Sequence, residues 1–121
     1  EIPGIRTYVS IDGGMADNPR YALYKSDYEI VCANKSNGER TEIVTLAGKC
    51  CESGDLIQEN TNLQKVEAGD IIAVLSTGAY NYSMASNYNR ISRPPVVMIK
   101  DGVDSVVVKR ETLGDVCRLD V

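Results

Sequence analysis

The sequence predicts a mainly β domain, a Greek-key-like antiparallel β-barrel with short helical insertions. Three observations carry this expectation. Apolar residues recur in short or alternating runs, not at helical spacing. Turns rich in Gly, Asp and Asn punctuate those runs. Finally, 121 residues with 43% hydrophobic and 25% charged side chains have the size and composition of one globular domain.

Taken in order, "IRTYVSID" alternates with period two and ends at Gly13-Gly14, a strand running into a turn. "PRYALY" is a short helix: Pro19 suits its first position, where an N–H is not needed, and Asn18 can cap it. "YEIVCAN" and "TEIVTLAG" flank "KSNGER", whose Ser-Asn-Gly is hairpin chemistry, so these two strands are expected to pair. "DLIQEN" follows the turn at Ser53-Gly54, and "DIIAVLSTGAY" follows Ala68-Gly69. "SMASNYN" is a second short helical candidate. "PPVVMIK" and "VDSVVVKR" are joined through Asp101-Gly102, a strong two-residue hairpin signal, and "ETLGDVCRL" closes the chain as a third helix. That makes about seven strands at the spacing of a sandwich or barrel. "SGDLI" and "AGDII" echo each other through turn grammar, not as a repeat.

Charge and residue usage narrow the function. A net charge of −4 argues against nucleic acid or anionic membrane as the main partner. No apolar run is long enough for a bilayer and no signal-peptide pattern opens the chain, so a cytoplasmic setting with reduced thiols is expected. The chain opens on Glu1 and enters a strand pattern almost at once, as a piece of a longer protein would. Four cysteines (Cys32, Cys50, Cys51, Cys117) show no CxxC spacing for a metal, and the adjacent pair cannot bridge without strain. With no histidine, a Ser-His-Asp or Cys-His site within the chain is excluded.

Three segments exceed what turns require. In "DGGMADNPRYALY", Arg20 and Tyr24 stand four apart on one helical face. They read either as a surface arginine stacked on a tyrosine or as a guanidinium-and-phenol clamp for a carboxylate. In "KCCESGD", an extended backbone would turn Cys50 and Cys51 to opposite sides, one packed and one facing a site. Cysteine is commonly a small buried hydrophobe, and Glu52 beside a turn is by default solvated. In "GAYNYSMASNYN", Gly78 and Ala79 permit close backbone approach and Tyr80 follows with a hydroxyl. Strand-on-helix packing and a ligand-binding edge are both open there.

Together, in order and spacing, "DGGMADNPRYALY", "AGKCCESGD" and "TGAYNYSMASNYNRISRPP" resemble the C-terminal domain of the diaminopimelate decarboxylases. These belong to the pyridoxal-phosphate family that also holds ornithine and arginine decarboxylases. The resemblance covers nearly the whole chain. It implies that residues 1–121 are the C-terminal β-barrel domain of a two-domain enzyme whose N-terminal TIM-like barrel, with the cofactor lysine, is not in this sequence. The implied reaction converts meso-2,6-diaminopimelate to L-lysine and CO₂ in lysine biosynthesis, with pyridoxal 5'-phosphate as cofactor.

The resemblance also implies roles. Cys51 matches the proton donor; a thiol suits an acid that starts protonated, since its ordinary pKa is about 8.5, and it needs no histidine. Cys50 is then its structural neighbour. Glu52 matches the acid that binds the substrate's distal amino group, and Arg20 with Tyr24 the pair that holds the distal carboxylate. Tyr80 matches a tyrosine that reaches the cofactor phosphate and touches substrate, and Tyr88 a residue that walls the pocket. Ornithine and lysine decarboxylases of this fold generally carry Cys-Asp, not Cys-Glu, and lack the "NPRxxLY" clamp. The family's dimer shares its sites: Cys51 and Glu52 would serve the partner's cofactor and Tyr80 the chain's own. Alone, the chain is expected to be inactive; a non-catalytic dimerisation barrel is the alternative from a different class.

Overall fold

A computed structural model describes residues 1–121. The elements in chain order are β1 (Tyr8–Ser10), α1 (Arg20–Tyr24), β2 (Ile30–Cys32), β3 (Arg40–Ala47), β4 (Leu56–Gln64) and β5 (Ile72–Val74). They continue with α2 (Asn81–Met84), β6 (Val96–Lys100), β7 (Val103–Val108) and α3 (Leu113–Cys117), with 3₁₀ turns at Ala33–Lys35 and Tyr88–Arg90. Every strand expected from the sequence is present, and the chain is mainly β.

The strands form three sheets that do not close on one another: β1-β3-β4, β2-β5 and β6-β7. Two expectations are corrected here. Pairing is not wholly antiparallel, because β1 runs parallel to β3, with Tyr8 opposite Thr45 and Ser10 opposite Ala47. The other correction concerns "KSNGER", which does not make a hairpin. Its residues form a turn, directly after the 3₁₀ segment, in which Gly38 N–H donates to Lys35 O at 2.8 Å, while β2 leaves to pair with β5. Distant polar groups set that choice. The Cys32 N–H donates to Gln64 Oε1 at 3.0 Å, and Asp70 accepts from Asn34 and Lys35 at 2.7 and 2.6 Å.

At Asp101-Gly102 the expected hairpin forms, both residues taking the positive φ (53° and 77°) that such a tight turn needs. Around α1, the Asn18 Oδ1 accepts the Arg20 N–H at 3.2 Å, and Pro19 O accepts from Leu23 at the helix start. At α3, Thr112 and Asp115 make a reciprocal capping box.

Ile30, Val44, Leu46, Ile57 and Leu63, from β2, β3 and β4, make the core, packed around by Val9, Ile11, Tyr28, Val66, Ile72 and Val74. Burying each of the five contributes about 1.5–3 kcal/mol. That core fixes β3 and β4, so the loop joining them is presented from a rigid pair of strands. No helix is long and apolar enough to cross a membrane.

Candidate active site

"KCCESGD" lies in the loop of the β3–β4 hairpin. It is not extended, as the reading of the two cysteines had assumed. Gly48 N–H donates to Asp55 O at 2.9 Å at the neck, and tight turns follow as Glu52 N–H meets Cys50 O and Asp55 N–H meets Glu52 O. Cys50 is half-buried and Cys51 exposed, so the two thiols have different surroundings. Burial, with the nearby Asp55 carboxylate, pushes the Cys50 thiol above its ordinary value. Glu52 is held below the usual carboxylate range by the Gly54 N–H and the Ser53 hydroxyl, donors 3.2 and 3.3 Å from Oε1. An ionised carboxylate therefore faces solvent beside Cys51.

The 3₁₀ turn after α2 meets this loop. Tyr88 donates its hydroxyl to Glu52 Oε2 at 3.4 Å, and Asn89 Oδ1 accepts the Cys51 N–H at 2.8 Å. Asn89 and Arg90 both take positive φ, 54° and 58°. Asparagine tolerates that region; for arginine it is strained. The strain is held from α3 and the residues after it: the Arg90 guanidinium donates to Cys117 Sγ at 3.2 Å and pairs with Asp120.

A second group forms around Arg20. Its guanidinium carbon sits 5.6 Å from the Tyr24 ring centre and 5.4 Å from that of Tyr80. The helical spacing that put Arg20 and Tyr24 on one face is realised, and Tyr80 stands as near to the guanidinium. Tyr80 takes φ 72°, costly for an aromatic residue, and α2 holds it there through Met84 N–H and Ser83 Oγ donating to its carbonyl at 2.9 and 2.8 Å. No carboxylate of the chain pairs with Arg20.

Thus the structure brings Arg20, Tyr24 and Tyr80 together, and Cys51, Glu52 and Tyr88 together. No hydrogen bond, ion pair or ring contact joins the two groups. A groove of about 710 Å³ between β1, the Gly13-Gly14 turn and β5 is lined by none of these residues. Sequence reasoning missed Asn89 and Asp55. Asp55 was visible only as the last residue of a turn; that it is 3% exposed is a tertiary fact. The structure also shows all four cysteines as free thiols.

A β domain presenting an unpaired guanidinium beside two phenols, and a thiol beside an ionised carboxylate, has the parts of an amino-acid-binding site. A family model described as the C-terminal sheet domain of pyridoxal-dependent decarboxylase matches residues 2–78. The chain is 52% identical over 121 residues to the diaminopimelate decarboxylase of Bacillus subtilis, covering all of this chain and 28% of that protein. It is 52% identical to the one from Synechocystis over 98% of this chain and 25% of that protein. A crystal structure of diaminopimelate decarboxylase from M. jannaschii, in complex with L-lysine, superposes with a TM-score of 0.91 at 37% identity. It covers 100% of this chain and 27% of that one. The chain therefore belongs to the pyridoxal-dependent decarboxylase family, as a C-terminal sheet domain. It spans little more than a quarter of the length of these relatives.

Proposed function

We propose that residues 1–121 are the C-terminal domain of a diaminopimelate decarboxylase, part of a longer protein whose N-terminal barrel carries the cofactor lysine. The reaction is conversion of meso-2,6-diaminopimelate to L-lysine and CO₂. The observation that carries this reading is Arg20, flanked by Tyr24 and Tyr80 and without a carboxylate of its own. A free guanidinium with a phenol beside it suits a substrate carboxylate. Glu52, kept ionised by its own loop, suits an ammonium. A substrate whose far end carries both groups uses both; an ornithine- or lysine-type substrate has no use for Arg20.

Tyr80 is exposed and its hydroxyl makes no hydrogen bond within the chain, which fits a donor to the phosphate of pyridoxal phosphate. That cofactor, when bound, accepts the electrons left as CO₂ departs. The chain's part is to hold the distal carboxylate at Arg20 and Tyr24, hold the distal ammonium at Glu52, and deliver a proton from Cys51 Sγ to the substrate α-carbon. Tyr88, which contacts Glu52, walls that side. Because the two residue groups are separate, we assign them to two sites of a two-fold homodimer. The exposed apolar hairpin β6–β7 (Met98, Ile99, Val103, Val106) supports burial against further protein, and also favours the second reading, a pairing module without chemistry. A Greek-key-like barrel closed in the longer protein, and a cytoplasmic setting in which four free thiols persist, complete the proposal.

The test is kcat/KM of the full-length protein for meso-diaminopimelate against L-lysine and ornithine. We expect strong preference for the first, and a loss of at least roughly tenfold in Arg20→Ala with a raised KM. Unchanged kinetics in that variant would make Arg20 a surface residue stacked on its tyrosines. An inactive full-length protein would leave the pairing module as the function.

A further inference from the structure

We infer that Asp55 is a positioning residue that fixes where the Cys51 thiol stands. The inference rests on Cys51 being the proton donor. Asp55 is buried, 3% exposed, and no lysine or arginine pairs with it. Its carboxylate is spent on backbone. Oδ1 accepts the Met15 N–H and Oδ2 the Cys50 N–H, both at 2.6 Å. These are short, charge-assisted bonds, and they come from two segments distant in sequence. One is the turn leading to α1 and the Arg20 cluster; the other is the amide immediately before Cys51.

The surroundings are shaped for this carboxylate. A Cβ on Gly14 would stand 2.8 and 2.9 Å from its oxygens, and one on Gly48 closer still. Both glycines are therefore required by Asp55 and not by a turn, since neither has positive φ. Lys49 N–H to Gly13 O, at 3.2 Å, adds a second strap between the same segments. Asn89 then takes the Cys51 N–H itself. Two consecutive amides, those of Cys50 and Cys51, are thus anchored by two different side chains, Asp55 and Asn89, which leaves the Cys51 backbone little freedom. Misplacement of a reacting group by about 1 Å can cost about 10²-fold in rate.

The experiment compares wild type, Asp55→Asn, Cys51→Ala and the double variant in the full-length enzyme. An asparagine keeps one acceptor and turns an NH₂ toward the other backbone N–H. Asp55→Asn is expected to lower kcat at least about tenfold with KM for meso-diaminopimelate within about twofold. In the Cys51→Ala background the same change should cost less than about twofold, because the thiol it positions is gone. Equal losses in both backgrounds would mark Asp55 as structural only and overturn the inference. Wild-type turnover in Cys51→Ala would instead overturn the proton-donor reading and the inference with it. Should Asp55→Asn fail to fold, amide hydrogen exchange on the wild-type protein decides. Slow exchange at Cys50 and Met15, unusual for loop amides, supports the inference, and free-loop rates refute it.

Discussion

Two neighbouring thiols with different surroundings make the sharpest contrast at the scale of single residues. Cys50 is half-buried against Asp55, and Cys51 is exposed beside Glu52. Cys51→Ala should lower turnover of the full-length enzyme by about 10²- to 10⁴-fold, the usual contribution of a positioned acid. Cys50→Ala should leave turnover within about threefold and shift the thermal midpoint instead, as small packing changes do. Equal loss of turnover in both, with folding intact, would reverse the assignment. The residues proposed for this site come from motifs that name side chains directly: "NPRYALY", "CCESGD" and "GAY". Asp55 and Asn89 were not legible. Their roles lie in accepting backbone N–H groups from segments far away in sequence, and no local pattern encodes that.

At the scale of elements, the turn Tyr88–Arg90 links the C-terminal helix to the loop that carries Cys51 and Glu52. Asn89 makes the link and also bears positive φ. Asn89→Gly removes the acceptor while relieving the backbone, whereas Asn89→Ala removes it and adds roughly 1–2 kcal/mol of left-handed strain. Glycine is therefore expected to retain the stability of the wild type and lose turnover about threefold or more, and alanine to lose both. Thermal unfolding with steady-state kinetics checks this; glycine at full turnover would show that the Cys51 N–H needs no partner. Hairpins illustrate why elements are only partly legible. Asp101-Gly102 has the positive-φ geometry its residues favour, so local preference and outcome agree. Ser-Asn-Gly favours a turn and gets one, yet β2 is carried off to β5 by Gln64 and Asp70, which the local sequence does not reveal.

At the scale of the whole molecule, two ion-paired carboxylates tie distant segments together. Asp70 is lowered to about 2, first by Lys35 and then by Asn34 and the Glu67 N–H. Glu111 is also lowered to about 2, by the Arg93 side chain, the Arg93 N–H and Asn87. Both folded values lie below the unfolded ones, so the stability they give is full above about pH 4–5 and is lost as pH falls toward 2. The thermal midpoint should drop across that window, and Asp70→Asn should flatten the drop; an unchanged slope would show that these pairs contribute nothing. Strand number was legible because each strand has its own pattern. Barrel closure was not, because it depends on which edges meet, and in this chain the three sheets remain separate. The central claim is that each chain gives Arg20, Tyr24 and Tyr80 to one site and Cys51 and Glu52 to another. Its most direct test mixes full-length Cys51→Ala subunits with Arg20→Ala subunits under conditions where exchange is demonstrated, with substrate below KM. Half of the dimers are then mixed and each has one complete site, so activity should rise to about a quarter of wild type. Activity no higher than the average of the two separate variants would place both residues in the same site and contradict the account.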